Sequence, residues 1–163
     1  MRAAADDPLL ASELGAQLAE AVGRAARGAP ARAVVAPAIG GILVAHEVAR
    51  ALGCRALFTE RQEGAMVLRR GFALAEGEPV IAVEDVVTTG GSLGETIDAA
   101  RAQGAKVLAA GCLIDRSGGA ASLGVPLATL LTLDVQTYPA AECPLCAGGS
   151  RPEKPGSRVL PTA

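Results

Sequence analysis

Residues 80–92 read Val80-Ile81-Ala82-Val83-Glu84-Asp85-Val86-Val87-Thr88-Thr89-Gly90-Gly91-Ser92. Four consecutive apolar side chains with no polar alternation describe a strand covered on both faces, the composition of a central strand in a parallel sheet. Glu84 and Asp85 close it, and a turn of small residues leads to a helix expected to start at Ser92, with Leu93–Gln103 as its body and Gly104 as its stop. Lys106–Ile114 repeats the buried-strand pattern and runs into Asp115-Arg116-Ser117-Gly118-Gly119. Strand, loop, helix, strand in this order is the unit from which parallel sheets are wound.

The same unit precedes it. Ala33–Ala36 is a short Val-rich run stopped by Pro37, Gly40-Gly41 opens the helical segment Ile42–Leu52, and Gly53 ends it before a strand at Arg55–Thr59. The charged stretch Glu60-Arg61-Gln62-Glu63-Gly64 follows, and Met66–Leu74 is expected to form two short strands around a turn at Arg69-Arg70-Gly71. Pro126–Val135 is the last strand pattern. At the other end, Leu10, Leu14, Leu18 and Val22 recur at helical spacing, so Pro8 to about Ala26 is expected to be an amphipathic helix ended by Gly28 and Pro30. The fold class is α/β, a mostly parallel sheet flanked by helices. The expected organisation is one domain over residues 1–163, with an N-terminal helix within 1–30 and an irregular C-terminal extension over 139–163 that holds five Pro and three Gly.

Composition narrows the function. A 163-residue chain that is 50% apolar and 20% charged suffices for one core. Its fifteen Lys and Arg against seventeen Asp and Glu give a net charge of -2, which argues against unspecific nucleic-acid binding. The longest apolar runs, near Ala33–Val44 and Val107–Ile114, fall short of the roughly 20 residues of a membrane helix. Met1–Pro8 leads into no apolar signal core, so the expected location is cytoplasmic. Phe58, Phe72 and Tyr138 are the whole aromatic set, leaving few faces on which to stack a base. The one histidine, His46, excludes a His-rich metal centre and is expected on an exposed helix face. Cys54, Cys112, Cys143 and Cys146 are too few for a disulfide scaffold and are expected to be reduced. Cys143 and Cys146 have metal-ligand spacing but fill half of a structural zinc site. They are expected to pack or stay free; the alternatives are a zinc shared between subunits and, less favoured because the pair sits in an irregular tail instead of opening a helix after a strand, a redox pair.

Ligands of such sheets bind beyond the carboxyl ends of the strands. Three strand ends carry candidate chemistry: Pro37-Ala38-Ile39-Gly40-Gly41, the run from Glu84 to Ser92, and Asp115-Arg116. Thr88, Thr89 and Ser92, the glycines Gly90 and Gly91 and a helix start offer N–H and O–H donors converging on one point, which suits a phosphate dianion. The preceding carboxylates would repel a bare phosphate, so the ligand should also present hydroxyls or a bound cation. A phosphorylated sugar meets both demands. The chain has no Gly-Lys dipeptide for a P-loop and no G-x-G-x-x-G.

The run Val80–Ser92 resembles the phosphoribosyl-pyrophosphate (PRPP) motif of type I phosphoribosyltransferases. Within that superfamily, Phe58–Phe72 (FTERQEGAMVLRRGF), Pro37–Gly41 and the tail from Cys143-Pro144-Leu145-Cys146 to Lys154-Pro155-Gly156-Ser157-Arg158 resemble orotate phosphoribosyltransferases, over roughly residues 33–158. The resemblance implies a type I phosphoribosyltransferase-like fold and transfer of phosphoribosyl from PRPP to orotate, giving orotidine 5-phosphate and pyrophosphate in UMP synthesis. A purine-specific transferase and a non-catalytic PRPP or nucleotide sensor are the alternatives. By the same resemblance, Thr88, Thr89, Gly90, Gly91 and Ser92 hold the 5-phosphate, Glu84 and Asp85 take the ribose hydroxyls, and Ala38, Ile39, Gly40 and Gly41 approach pyrophosphate through backbone amides. Arg61, Arg69 and Arg70 are lid cations for pyrophosphate, Arg61 and Asp85 are the catalytic candidates, and Thr88 and Arg116 face orotate, the guanidinium pairing with its carboxylate. The cofactor implied is Mg2+, held mainly by PRPP near Glu84 and Asp85 with no direct protein site, and the working unit implied is a homodimer sharing the lid. Relatives begin with a base-covering hood, and nothing in Met1–Asp7 resembles it: either the start is misassigned or the hood is missing, and only in the second case is the base pocket open.

Overall fold

The computed structural model describes residues 7–136 and 138–151. In chain order it contains helix α1 (Pro8–Ala25), strand β1 (Ala33–Pro37), α2 (Gly41–Leu52), β2 (Arg55–Gln62), β3 (Ala65–Leu68), β4 (Pro79–Val87), α3 (Gly91–Ala102), β5 (Lys106–Asp115) and β6 (Leu127–Thr132). A 3-10 turn at Ala140–Glu142 and the one-turn helix α4 (Pro144–Ala147) follow. The sheet order is β3-β2-β1-β4-β5-β6, parallel throughout except for the β2–β3 hairpin.

Two separate cores explain the doubly apolar strands. Ala33 and Val35 of β1 and Val80 and Ala82 of β4 pack on one face with Leu93, Ile97 and Ala100 of α3. Their neighbours Val34, Ala36, Ile81 and Val83 turn to the other face and meet Leu18 and Val22 of α1 with Val44 and Val48 of α2. Each fully buried Val or Leu contributes roughly 1.5–3 kcal/mol. The apolar stripe read in α1 is therefore real at Leu18 and Val22, while Leu10 lies at its exposed end. Asp7 caps that helix, its carboxylate accepting the Leu9 and Leu10 amides at 3.0 and 3.2 Å.

Several boundaries differ from the sequence expectation, each for a local reason. The acidic pair does not close β4: the strand runs through Glu84 and Asp85 to Val87, because β5 continues alongside it to Asp115. Segment 66–74 is not two strands. β2 extends to Gln62 and turns through Glu63 and Gly64, at φ 50° and 90°, so that Gln62 faces Ala65 across a two-residue hairpin loop. Past β3 the backbone leaves the sheet at Arg70 and Gly71, φ 58° and 78°, and the Leu74 amide donates to the Gln103 side chain at 2.8 Å instead of to a strand. β6 stops at Thr132, opposite the end of β5, short of the expected Val135. The C-terminal extension holds a helical turn where only loop was expected; Arg158 and its preceding Lys154-Pro155-Gly156-Ser157 lie outside the described residues, as do residues 1–6.

α1 crosses the sheet at Gly111 of β5. A methyl group there would stand 2.4 Å from Val22 Cγ1 and 3.1 Å from Leu18 Cδ1. Gly111→Val is therefore expected to push α1 off the sheet and lower stability by about 1–3 kcal/mol, a drop of roughly 2–4 °C in Tm per kcal/mol for a chain of this size. Thermal melting followed by circular dichroism checks it.

Candidate functional site

β1 and β4 are neighbours at the centre of the sheet, yet the chain leaves them in opposite directions: β1 continues through α2 to β2, β4 through α3 to β5. Their helices consequently lie on opposite faces, and a crevice opens between the two strand tips. Both helices start there with a glycine at the N-cap position, Gly40 for α2 and Gly90 for α3, and neither cap residue has a side chain to accept the first amides. Gly90 sits at φ 82°, a conformation that suits glycine, while the Thr89 hydroxyl accepts the Gly91 amide at a long 3.4 Å. Thr88, Thr89, Gly91 and Ser92 are exposed. Two sets of N–H groups thus face one opening, the arrangement that favours an anion.

Between them stand the carboxylates. Glu84 continues the parity of Val80 and Ala82 and lies opposite Cys112, whereas Asp85 falls on the other parity, against the backbone of Gly40. A Cβ on Gly40 would be 2.6 Å from Asp85 Oδ2, so the loop after β1 packs on the Asp85 carboxylate. Asp85 Oδ1 accepts the Val86 amide at 2.9 Å. Burial and then the neighbouring Asp85 charge push the Glu84 carboxyl from its ordinary 4.5 up to about 7.

The loop over residues 38–40 contains a cis peptide bond between Ala38 and Ile39, and the Ile39 side chain is 85% exposed. The Ala38 amide donates to the Thr59 carbonyl at 2.8 Å. The Thr59 hydroxyl, fully buried, meets the Thr96 hydroxyl of α3 at 2.9 Å and the Ala36 carbonyl at 3.4 Å. Thr59 therefore ties the β1 loop, β1 itself and the helix of the second tip together. Sequence reasoning missed this pair, although a Thr ending the apolar run of β2 and a Thr one turn into α3 were the available signals.

At the third tip the Arg116 amide donates to the Val87 carbonyl at 2.8 Å, which sets Arg116 beside Thr88. Asp115 is buried and accepts the Ser117 amide at 2.7 Å, so it does not neutralise Arg116, whose guanidinium has no ion-pair partner among the described residues. The hairpin arginines are differently engaged. Arg61 pairs with Glu95 of α3 and donates to the Gly64 carbonyl, and Arg70 makes two 2.8 Å bonds to Glu60, whose carboxyl it holds below the usual range. Arg69 is exposed in the turn that follows β3. His46 is exposed on α2 and contacts Glu47, away from these tips. A separate cleft of about 450 Å³ lies at the opposite, N-terminal ends of β1 and β2, where Arg55 is neutralised by Glu78 at 2.6 Å beside Arg32 and Cys54.

With this geometry in place, the relatives are informative. The phosphoribosyl transferase domain family matches residues 10–123. This chain belongs to that family. Among curated proteins it is 55% identical over 126 residues to the orotate phosphoribosyltransferase of Heliobacterium modesticaldum, covering 77% of this chain and 66% of that protein. It is 53% identical over 127 residues to that of Thermotoga maritima, covering 78% and 68%. Among solved structures, orotate phosphoribosyltransferase from Aeropyrum pernix aligns with TM-score 0.64 at 30% identity, covering 82% of this chain and 77% of that one. Adenine phosphoribosyltransferase from Thermoanaerobacter pseudethanolicus, at 19% identity and TM-score 0.65, shares the fold, covering 80% and 84%. The chain spans about two thirds of the length of the curated relatives it matches. No described helix of the phosphoribosyltransferase domain is long and apolar enough to cross a membrane.

Two measurements check the site's energetics. Burial raises the Glu84 carboxyl to about 7 in the folded chain against 4.5 ordinarily, so this group's contribution to stability is full below pH 4.5, is lost as pH rises between these values and is level above 7. Glu84→Gln removes the buried charge: its Tm should exceed that of the natural chain at pH 8 and converge with it at pH 4.5. Thr59→Val strands the Thr96 hydroxyl and should cost about 1–3 kcal/mol, while Thr59→Val with Thr96→Val should recover most of that loss. Denaturant unfolding of the four chains of the cycle reads the coupling.

Proposed function

We propose that the protein is an orotate phosphoribosyltransferase that uses PRPP and releases pyrophosphate. The observation that carries this reading is the pair of glycine-led helix starts at the β1 and β4 tips with two carboxylates between them, a place for a phosphate, a pyrophosphate and a ribose at once. Identity above 50% with proteins named orotate phosphoribosyltransferase supports orotate as the base. In this reading the amides and hydroxyls from Thr88 to Ser92 hold the 5-phosphate, and Glu84 and Asp85 accept from the ribose 2- and 3-hydroxyls. The amides of Ala38 to Gly41 face pyrophosphate.

The reaction breaks the bond from the anomeric carbon to pyrophosphate and makes one to a ring nitrogen of orotate. Positive charge grows on the ribose and negative charge on the leaving oxygens. Asp85 and Glu84, beside the sugar, favour the first; helix amides at the β1 loop favour the second without reorganising. Among the described residues no group of three or more His, Cys, Asp or Glu forms a protein metal site, so a Mg2+ would be held mainly by PRPP, with Glu84 and Asp85 near it. When bound, that ion would supply charge neutralisation on the leaving group. Arg61 and Arg70 reach pyrophosphate by exchanging Glu95 and Glu60 for it, and Arg69 joins them on closure of the hairpin. A homodimer in which that hairpin serves the neighbouring crevice, working in the cytoplasm, completes the proposal. Arg116, without an ion-pair partner and next to Thr88, pairs its planar guanidinium with the orotate carboxylate, a group uracil lacks.

Asp85→Asn should keep the fold and lower kcat about a hundredfold, on the order of 2.7 kcal/mol. Arg116→Met should raise KM for orotate about tenfold or more and leave KM for PRPP nearly unchanged. PRPP consumption with orotate, uracil, adenine and hypoxanthine tests the base: product with orotate alone is expected. Product with a purine and none with orotate, or PRPP binding by calorimetry with no product from any base, overturns the proposal.

A further inference from the structure

We propose that Cys143 and Cys146 form a dithiol that small disulfides oxidise reversibly to an intramolecular disulfide. The four cysteines differ sharply in access. Cys112 is fully buried in the α3-side core, where desolvation pushes its thiol up to about 11, and Cys54 is half-buried with its thiol also raised by burial. Cys143 is partly accessible and Cys146 exposed. Cys143 immediately precedes α4 and Cys146 lies within it, one helical turn on. The Ala147 amide closes that turn on the Cys143 carbonyl at 3.0 Å, and the Gly149 amide bonds the Cys146 carbonyl at 3.0 Å. Residues three apart on a helical turn are side-chain neighbours, and their Cα separation falls within the span a disulfide bridges.

The pair is also chemically asymmetric. The Cys146 amide and thiol, with the Leu145 amide, turn toward the Cys143 sulfur and hold its thiol below the ordinary value, while the same contact raises that of Cys146. Cys143 is thus the attacking sulfur and Cys146 the resolving one. In the first step Cys143 thiolate attacks one sulfur of a low-molecular-weight disulfide, forming a mixed disulfide and expelling one thiolate. Cys146 then loses its proton to water and its sulfur attacks Cys143, forming the Cys143–Cys146 bond and expelling the second thiolate. The protein gives up two electrons and two protons, and the small disulfide becomes two thiols. None of the crevice residues takes part, so the inference stands apart from the proposed activity.

The test incubates the full-length protein with oxidised glutathione, quenches with iodoacetamide and analyses tryptic peptides by mass spectrometry. Cys143 and Cys146 fall in one peptide between Arg116 and Arg158, since Arg151 and Lys154 precede prolines, and Cys54 and Cys112 fall elsewhere. That peptide should become two hydrogens lighter, escape alkylation and revert with dithiothreitol. Cys146→Ser should instead stop at glutathione on Cys143. Without oxidant, iodoacetamide should modify Cys143 several-fold faster than Cys146 at neutral pH. A wild-type peptide that keeps both thiols alkylatable, or that retains glutathione on either cysteine, overturns the proposal; so does a Cys146→Ser chain that takes up no glutathione on Cys143.

Discussion

The crevice between β1 and β4 follows from how two buried strands are left by the chain. Both strands are apolar on both faces, so both must be covered twice, and helices are the covers that a parallel sheet permits. Because β1 hands over to α2 on one face and β4 to α3 on the other, no helix spans the gap between their tips. Polar backbone at the two helix starts is left facing the same opening. Small residues are what make the opening usable: Gly40 allows its loop to lie on Asp85, and Gly90 allows the turn that points the α3 amides outward.

Charge is distributed around this opening with some economy. Glu84 is kept partly protonated by burial and by Asp85, so the pair does not present two full negative charges beside an anion cradle. Arg61 and Arg70 are parked on Glu95 and Glu60, within the hairpin or between it and α3. Such exposed ion pairs are worth little, which makes their exchange for a more highly charged partner inexpensive. The Thr59–Thr96 contact is the opposite kind of interaction, buried and fully satisfied, and it fixes the β1 loop relative to the helix of the other tip.

The alternation of buried strands and helices was legible because Val34 to Ala36 and Val80 to Val83 leave no other reading, and the glycine and hydroxyl residues at the tips stand out against them. The family followed from the run Val80–Ser92. What was hidden depended on partners distant in sequence. The extension of β4 through Glu84 and Asp85 required β5 alongside, the hairpin at Glu63-Gly64 lacked the usual Asn-Gly signal, and the exit of the chain after β3 depends on Gln103 waiting on α3. The engagement of Arg61 by Glu95, thirty-four residues away, and the turn that brings Cys143 to Cys146 were likewise beyond pattern reading.

The most direct test of the central claim is an amide-resolved NMR titration with ribose 5-phosphate, which reports binding without requiring turnover. The account predicts the largest shifts at Thr89–Leu93, with smaller ones at Glu84 and Asp85. Shifts confined to the cleft beside Arg32, Cys54 and Arg55, or no shifts at the β4 tip at saturating ligand, would contradict it.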